Sequence, residues 1–314
     1  MLKSESKNIS NFSFKETWIS VILNRIRVGI FTILTKNGSS LFLRGKDAIS
    51  ARPQVNGLHE PALTHFIAHL SATGYADYFI DIGANIGLTS CQNGNNFKVI
   101  HMFEPNPLCC KILEVNCQIA LPNKTYVLHE VGLGDQNKEL ILKVPINNWG
   151  GAFISDKSNS YNEETLAGKD GFNSLTQKNY FDLSIKIRDT AQELQLIFTE
   201  LAISNLTCGV IKIDVEGFEL TVLKGIAKSI PTNFKAVIIF ESLSSNFKMQ
   251  EVLNAFGSRM KHFKLIRQTP WRTGWPMILK CFTIILGRPV STILTNISDD
   301  NWQGDLVLEV DELR

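Results

Sequence analysis

The sequence contains no CxxC pair among its six cysteines, and no histidine stands at zinc-finger spacing from them. Adjacent cysteines such as Cys109 and Cys110 rarely bond to each other. Cys91, Cys109, Cys110, Cys117, Cys208 and Cys281 therefore read as free, buried thiols in a reducing cytosol. Net charge is only +2 over 314 residues, so no global field argues for a nucleic-acid partner. No apolar run reaches the roughly 20 residues of a spanning helix. The run Trp18–Leu34 is broken by Asn24, Arg25 and Arg27, and the run Met277–Gly287 is short and holds Lys280. No apolar segment of a secretory signal opens the chain, and the expectation is a cytoplasmic protein. No Gly-Lys-Ser/Thr follows a glycine turn, which excludes a Walker-type nucleotide triphosphatase.

What is present is ordinary in bulk and specific in detail. Composition is 44% hydrophobic and 20% charged, as in a globular protein. The length suggests one large domain with appendages: an extension over 1–56, and a main domain over 57–314 carrying an inserted loop at 147–178. Apolar positions from Phe14 to Thr35 recur at helical spacing, with Arg25 and Arg27 off the stripe. Such a helix either packs on the domain's flank or lies on an anionic membrane surface. Leu41–Arg44 reads as a short strand, and residues 57–73 as a helix with Pro61 in its first turn. His59, His65 and His69 invite a metal reading. No HExxH pattern accompanies them, so they read as a surface or partly packed face.

From Asp77 onward, strand-like and helix-like runs alternate. The strands are Tyr78–Ile82, Val99–Phe103, Thr125–His129, Val210–Ile213 and Ala236–Phe240. Helical runs begin at Leu88 and cover Leu108–Ala120, Glu219–Ser229 and Met249–Phe256. Continuous apolar strands in this alternation predict an α/β fold: a mostly parallel sheet with helices on both faces. The polar stretch Asn147–Lys178 reads as an exposed loop or lid.

The first strand empties into Asp81-Ile82-Gly83-Ala84-Asn85-Ile86-Gly87. The nearest rival pattern, G-x-G-x-x-G, places a helix start against a pyrophosphate, and a carboxylate at its entry would repel that group. S-adenosylmethionine carries an ammonium and a sulfonium and no phosphate, so the same aspartate suits it. Glu104 ends the next strand about twenty residues beyond the glycines, the spacing of a ribose-binding acid. A later strand delivers Asp214 and Glu216 to the rim where open α/β sheets bind ligands, and a fourth delivers Glu241. These acids suit a polyhydroxyl substrate, a base, or a hard cation such as Mg2+, which is left unassigned. In the alternative reading, Glu216 caps the following helix and Lys212 pairs with an acid.

Three segments, "FIDIGANIGLTS", "HMFEPNP" and above all "IKIDVEGFELTVLKG", resemble the FkbM-type methyltransferase family, over roughly residues 58–245. The resemblance implies a Rossmann-like class I methyltransferase fold using S-adenosylmethionine, and methylation of hydroxyls on surface glycans or natural products. It assigns Asp81, Gly83, Asn85 and Gly87 to the methionine end, Glu104 to the ribose, and Gly132 and Leu133 to the vicinity of the adenine. Asp214 and Glu216 fall on the acceptor side, with Asp214 or Glu216 as the base and His129 or Glu241 as rivals. Trp149 and Tyr161, and the stretch "TPWRTGW" at Thr269–Trp275, are candidates to stack on a sugar ring. One departure is Thr190-Ala191, where the family often shows threonine-leucine-aspartate. The rival functions are an NAD(P)-dependent dehydrogenase and a non-catalytic binding module.

Overall fold

Strands that are apolar on both sides must be covered on both sides, and the centre of the molecule is built that way. The computed structural model describes residues 17–154, 168, 175, 178–243, 247–269, 271, 274–285, 290–297 and 302–311. Its strands are β1 (Tyr78–Ile82), β2 (Val99–Phe103), β3 (Thr125–His129), β4 (Gly132–Gly134), β5 (Lys138–Pro145), β6 (Phe153–Ile154), β7 (Tyr180–Asp189), β8 (Cys208–Ile213), β9 (Lys235–Ser242), β10 (Met260–Gln268), β11 (Ser291–Asn296) and β12 (Gly304–Val310). The helices are α1 (Trp18–Leu34), α2 (Ala51–Asn56), α3 (Pro61–Ala72), α4 (Leu88–Asn93), α5 (Pro107–Ala120), α6 (Thr190–Ile203), α7 (Glu219–Ser229), α8 (Met249–Phe256) and α9 (Met277–Ile285).

The larger sheet has the order β11-β10-β12-β9-β8-β1-β2-β3. Strands β3, β2, β1, β8 and β9 pair in parallel, and β12 enters antiparallel between β9 and β10. The chain winds outward from β1 to β3 and then returns to β8 on the other side of β1. The crevice between β1 and β8 is thus a topological switch point, where open sheets bind ligands. Alternate residues of each strand enter opposite layers. Tyr78, Ile80 and Ile82 pack with Ile211, Ile213, Leu223, Phe198 and Phe234 on the side of α6 and α7. Phe79 packs with Phe97, Ile100, Met102, Leu113 and Cys117 on the side of α3, α4 and α5. The expected α/β architecture is present.

Register fixes the upper edge. Ile82 pairs with both Phe103 and Ile213, and Ile213 pairs with Phe240. The next residue on each strand, Gly83, Glu104, Asp214 and Glu241, therefore stands in one row at the carboxyl ends.

A second sheet, β4-β7-β5-β6, stands over this edge, and Phe153 forms a bridge to Glu216. Most of the loop or lid expected over 147–178 lies outside the described residues. Of residues 147–178, the described part around Trp149–Ile154 is a wall, with Gly151, Phe153 and Ile154 buried. Tyr161 lies outside the described residues, as do Pro270, Arg272 and Thr273 of the "TPWRTGW" stretch.

Two local expectations also change. Leu41–Arg44 is not a strand, because its backbone finds a side chain instead of a neighbouring strand. Phe42 N donates to Asn116 Oδ1 at 2.7 Å, and Asn116 Nδ2 donates to Phe42 O at 3.2 Å. The helix expected over 57–73 starts at Pro61, since Gly57 closes α2 in the left-handed region at φ 78°. Residues 41–56, grouped with the N-terminal extension, pack on the main body: Asp47, Ser50 and Pro53 are buried. Helix α1 has no buried residue.

All six cysteines are free of disulfides, and Cys91, Cys109, Cys110 and Cys117 are buried as expected, whereas Cys208 is only partly buried and Cys281 is exposed. Among the described residues, no helix is long and apolar enough to cross a membrane.

Candidate active site

A single cavity opens over the row of strand ends. Gly83, Asn85, Glu104, Gly132, Leu133, Asp214, Glu216 and Glu241 all line it. Sequence reasoning named each of these eight, and the fold brings them together from β1, β2, β4, β8 and β9 or the turns just after them.

Gly83 has φ 88°, and a Cβ there would lie 2.0 Å from the backbone oxygen of Asp214. Only glycine allows β1 and β8 to close at this point, where Asp214 N donates to Ile82 O at 2.8 Å. Two residues on, Asn85 takes φ 51°, a conformation asparagine tolerates better than most. This turn aims Asn85 N at Glu104 Oε2, 2.8 Å away. The other oxygen, Oε1, accepts from Asn106 N at 2.7 Å. Each carboxylate oxygen thus has one backbone donor and retains acceptor capacity. Burial pushes the Glu104 carboxyl up to about 7, against the two backbone donors that hold it down.

Two expected ligand contacts are corrected. Asp81 is fully buried and does not line the cavity. It points into the opposite layer, where Ser90 Oγ donates to Oδ2 at 2.6 Å and Lys212 Nζ lies 3.6 Å from Oδ1. The reason is strand alternation: Asp81 follows the side of Phe79, away from Ile80 and Ile82. Gly87 is also absent from the lining. A Cβ on Gly87 would lie 2.3 Å from Leu113 Cδ1, so this glycine lets α4 approach α5.

Lys212 connects the hidden acid to the visible one. Its ammonium pairs with Asp214 at 2.9 Å while being only 5% exposed. Burial alone would lower its pKa, yet Asp214, Asp81 and Glu60 hold it above the ordinary value. The pairing anticipated for Lys212 is present. At the start of α7, Phe218 is the cap residue, and Glu219 Oε1 accepts from Gly217 N at 3.1 Å.

His129, a rival base in the sequence reading, does not line the cavity. Its ring stacks on Phe103 at 4.3 Å, and its Nε2 lies 3.2 Å from His101 Nδ1. Burial lowers both imidazoles, His101 to about 4, with His129 adding to the effect there.

Sequence reasoning missed Ile49 and Glu60 and read His59 as a surface or partly packed position; all three reach the cavity from before the first strand, and Trp149, already a candidate to stack on a sugar ring, lines it from the wall. Arg44 lies 4.3 Å over the Trp149 ring, and Asp47 accepts from both Arg44 Nη1 and Trp149 N. Asp305 of β12 stands opposite Glu241 in register, its carboxyl raised by burial and then by Glu60 and Asp214. No local pattern announces these residues, because each depends on contacts distant in sequence. The cavity is acid-rich: the described lining residues include five carboxylates, Glu60, Glu104, Asp214, Glu216 and Glu241, and one lysine. No group of three or more such side chains among the described residues is close enough to hold a metal ion.

A mostly parallel sheet in which β12 and β11 run antiparallel at one end, with a row of acids at its strand ends, is the frame of a class I methyltransferase. The FkbM methyltransferase domain model matches residues 81–268. The chain belongs to that family of S-adenosylmethionine-dependent methyltransferases. No curated protein matches it significantly. Among solved structures, it is similar to an O-methyltransferase from Bacillus cereus in complex with SAH, at 10% identity and TM-score 0.40, covering 96% of this chain and 95% of that one. A precorrin-8w decarboxylase from Methanobacterium thermoautotrophicum gives 12% identity and TM-score 0.40, covering 86% and 99%. A precorrin-6y C5,15-methyltransferase from Geobacter metallireducens gives 10% and 0.37, covering 81% and 93%.

Proposed function

We propose that this chain is an O-methyltransferase that methylates a sugar hydroxyl, in a surface glycan such as an O-antigen or capsule. S-adenosylmethionine, when bound, supplies the electrophilic methyl group. Glu104 would accept the two ribose hydroxyls through the capacity its backbone donors leave open. Gly83 and Asn85 would adjoin the methionine end, and Gly132 and Leu133 the adenine. Asp81 would act one step removed, by holding Lys212 against Asp214. On the acceptor side, Asp214, Glu216 and Glu241 would accept hydrogen bonds from sugar hydroxyls, and the half-buried face of Trp149 would adjoin the ring.

The observation that carries the reading is the Glu104 carboxylate, aimed into a cavity whose described charges are mostly negative. A diphosphate-bearing nicotinamide cofactor would meet those carboxylates with repulsion, whereas a sulfonium donor meets attraction. Methylation of a natural-product hydroxyl is the closest alternative, since the acidic rim suits any polyhydroxyl acceptor. The experiment is thermal shift with S-adenosylhomocysteine and with NADH. Stabilisation by the former alone supports the proposal; stabilisation by NADH alone refutes it.

We also propose that α1 rests on the inner face of the membrane, beside a lipid-linked acceptor. Trp18, Ile19, Ile22, Ile26, Ile30 and Ile33 are all more than half exposed, and Arg25 and Arg27 flank them. No nucleic-acid partner is proposed.

A further inference from the structure

We propose that His59 is the catalytic base, taking the proton of the acceptor hydroxyl, with Glu60 stabilising the imidazolium that forms. This rests on the methyl-transfer reading above, and both residues lie before the matched family region. The segment carrying them is pinned at the cavity from two sides. His59 N donates to Gln92 Oε1 of α4 at 3.3 Å, and Thr64 Oγ1 of α3 donates to His59 O at 3.0 Å. Glu60 adopts φ 42°, a left-handed conformation that a non-glycine residue rarely holds without reason. It places the Glu60 carboxylate 3.7 Å from His59 Nε2.

The charges facing His59 come from three elements. Glu60 lies on its own segment, Lys212 and Asp214 on or just after β8, and Asp81 on β1. Burial is the largest influence and lowers the pKa. Lys212 lowers it further, while Glu60, Asp214 and Asp81 raise it. The imidazole is therefore neutral at neutral pH, with a lone pair for a proton. Asp214 is less suited to that task, because its carboxylate is already engaged by Lys212 at 2.9 Å. It remains the group that orients the hydroxyl. As the acceptor oxygen's electron pair closes onto the donated methyl carbon, the carbon–sulfur pair stays with sulfur. The hydroxyl proton passes to His59, which later releases it to solvent.

Two measurements test this. Histidine-selective NMR of the complex with S-adenosylhomocysteine, assigned with His59→Gln, should show a neutral imidazole at pH 7.5. Its midpoint should fall further in Glu60→Gln, since a favourable carboxylate is removed. A charged imidazole at pH 7.5, or a midpoint indifferent to Glu60→Gln, overturns the proposal. The second arm uses radiolabelled S-adenosylmethionine and a panel of phosphate-free mono- and oligosaccharides. His59→Gln should lower kcat by about 100- to 10,000-fold, abolish the acid limb of the kcat profile at saturating S-adenosylmethionine, and leave S-adenosylhomocysteine affinity unchanged. Equal turnover in the variant overturns the assignment alone, and so does a loss of affinity in parallel with turnover. Failure of the wild type to bind S-adenosylhomocysteine sinks the function itself and this inference with it.

Discussion

Glu104 concentrates two opposing demands in one side chain. Its burial favours the neutral acid, while its two backbone donors and the proposed ribose favour the carboxylate. Between the ordinary glutamate value of about 4.3 and the folded value of about 7, the folded protein binds more protons than the unfolded chain. Stability of the free protein therefore drops as pH rises through that window. Ligand affinity should run the other way. Calorimetry should show S-adenosylhomocysteine binding strengthening up to about pH 7 and levelling off above it, with the dependence gone in Glu104→Gln. Glu104→Ala should weaken binding by about 3 kcal/mol, roughly a hundredfold. Asp214→Asn, by contrast, should spare that affinity and lower turnover, measured on the same sugar panel. Lys212→Met would leave the buried Asp81 charge without its counter-ion, and should cost about 3–5 kcal/mol of stability in denaturant titration.

Between elements, the decisive contacts are close backbone approaches. Gly83→Ala would force a side chain into the left-handed region and against the Asp214 backbone oxygen. It should destabilise the protein by more than about 2 kcal/mol and lower its melting temperature correspondingly. The parallel strands of the main sheet were legible because β1, β2, β8 and β9 are continuous apolar runs followed by Gly83, Glu104, Asp214 and Glu241, whereas its strands β10, β11 and β12 went unread. The second sheet was not legible either. Strands β5 and β7 alternate more and less buried residues and carry Glu139, Lys143, Asp182, Lys186 and Arg188 on their wet side, so they lack that apolar signature. Leu41–Arg44 shows the converse failure: an apolar run whose backbone partner is a side-chain amide, which no local pattern reveals. Asp81 was recognised as special but placed on the wrong face, because the abrupt turn at Gly83 obscured the two-residue period that governs it. At Thr190-Ala191, where the family pattern departs, Asp189 Oδ1 accepts from Gln192 N at 2.9 Å and Thr190 Oγ1 donates to Gly134 O at 2.8 Å. That departure is absorbed in the junction of β7, α6 and β4.

For the molecule as a whole, the two ends of the proposal separate cleanly. Replacing Ile22, Ile26 and Ile30 with serine should abolish co-sedimentation with anionic phosphatidylglycerol vesicles. Since α1 contributes no buried residue, the melting temperature and S-adenosylhomocysteine affinity should not change. A vesicle interaction unaffected by these changes would remove the membrane from the account and leave the enzyme intact.

Ile49, His59 and Glu60 border the cavity although they precede residue 81, where the family match begins. A gene fragment trimmed to the shared module would consequently encode a vessel missing one side. Exchanging residues 41–60 between relatives should then transplant acceptor preference without disturbing the donor half, making this stretch the natural handle for retargeting the enzyme.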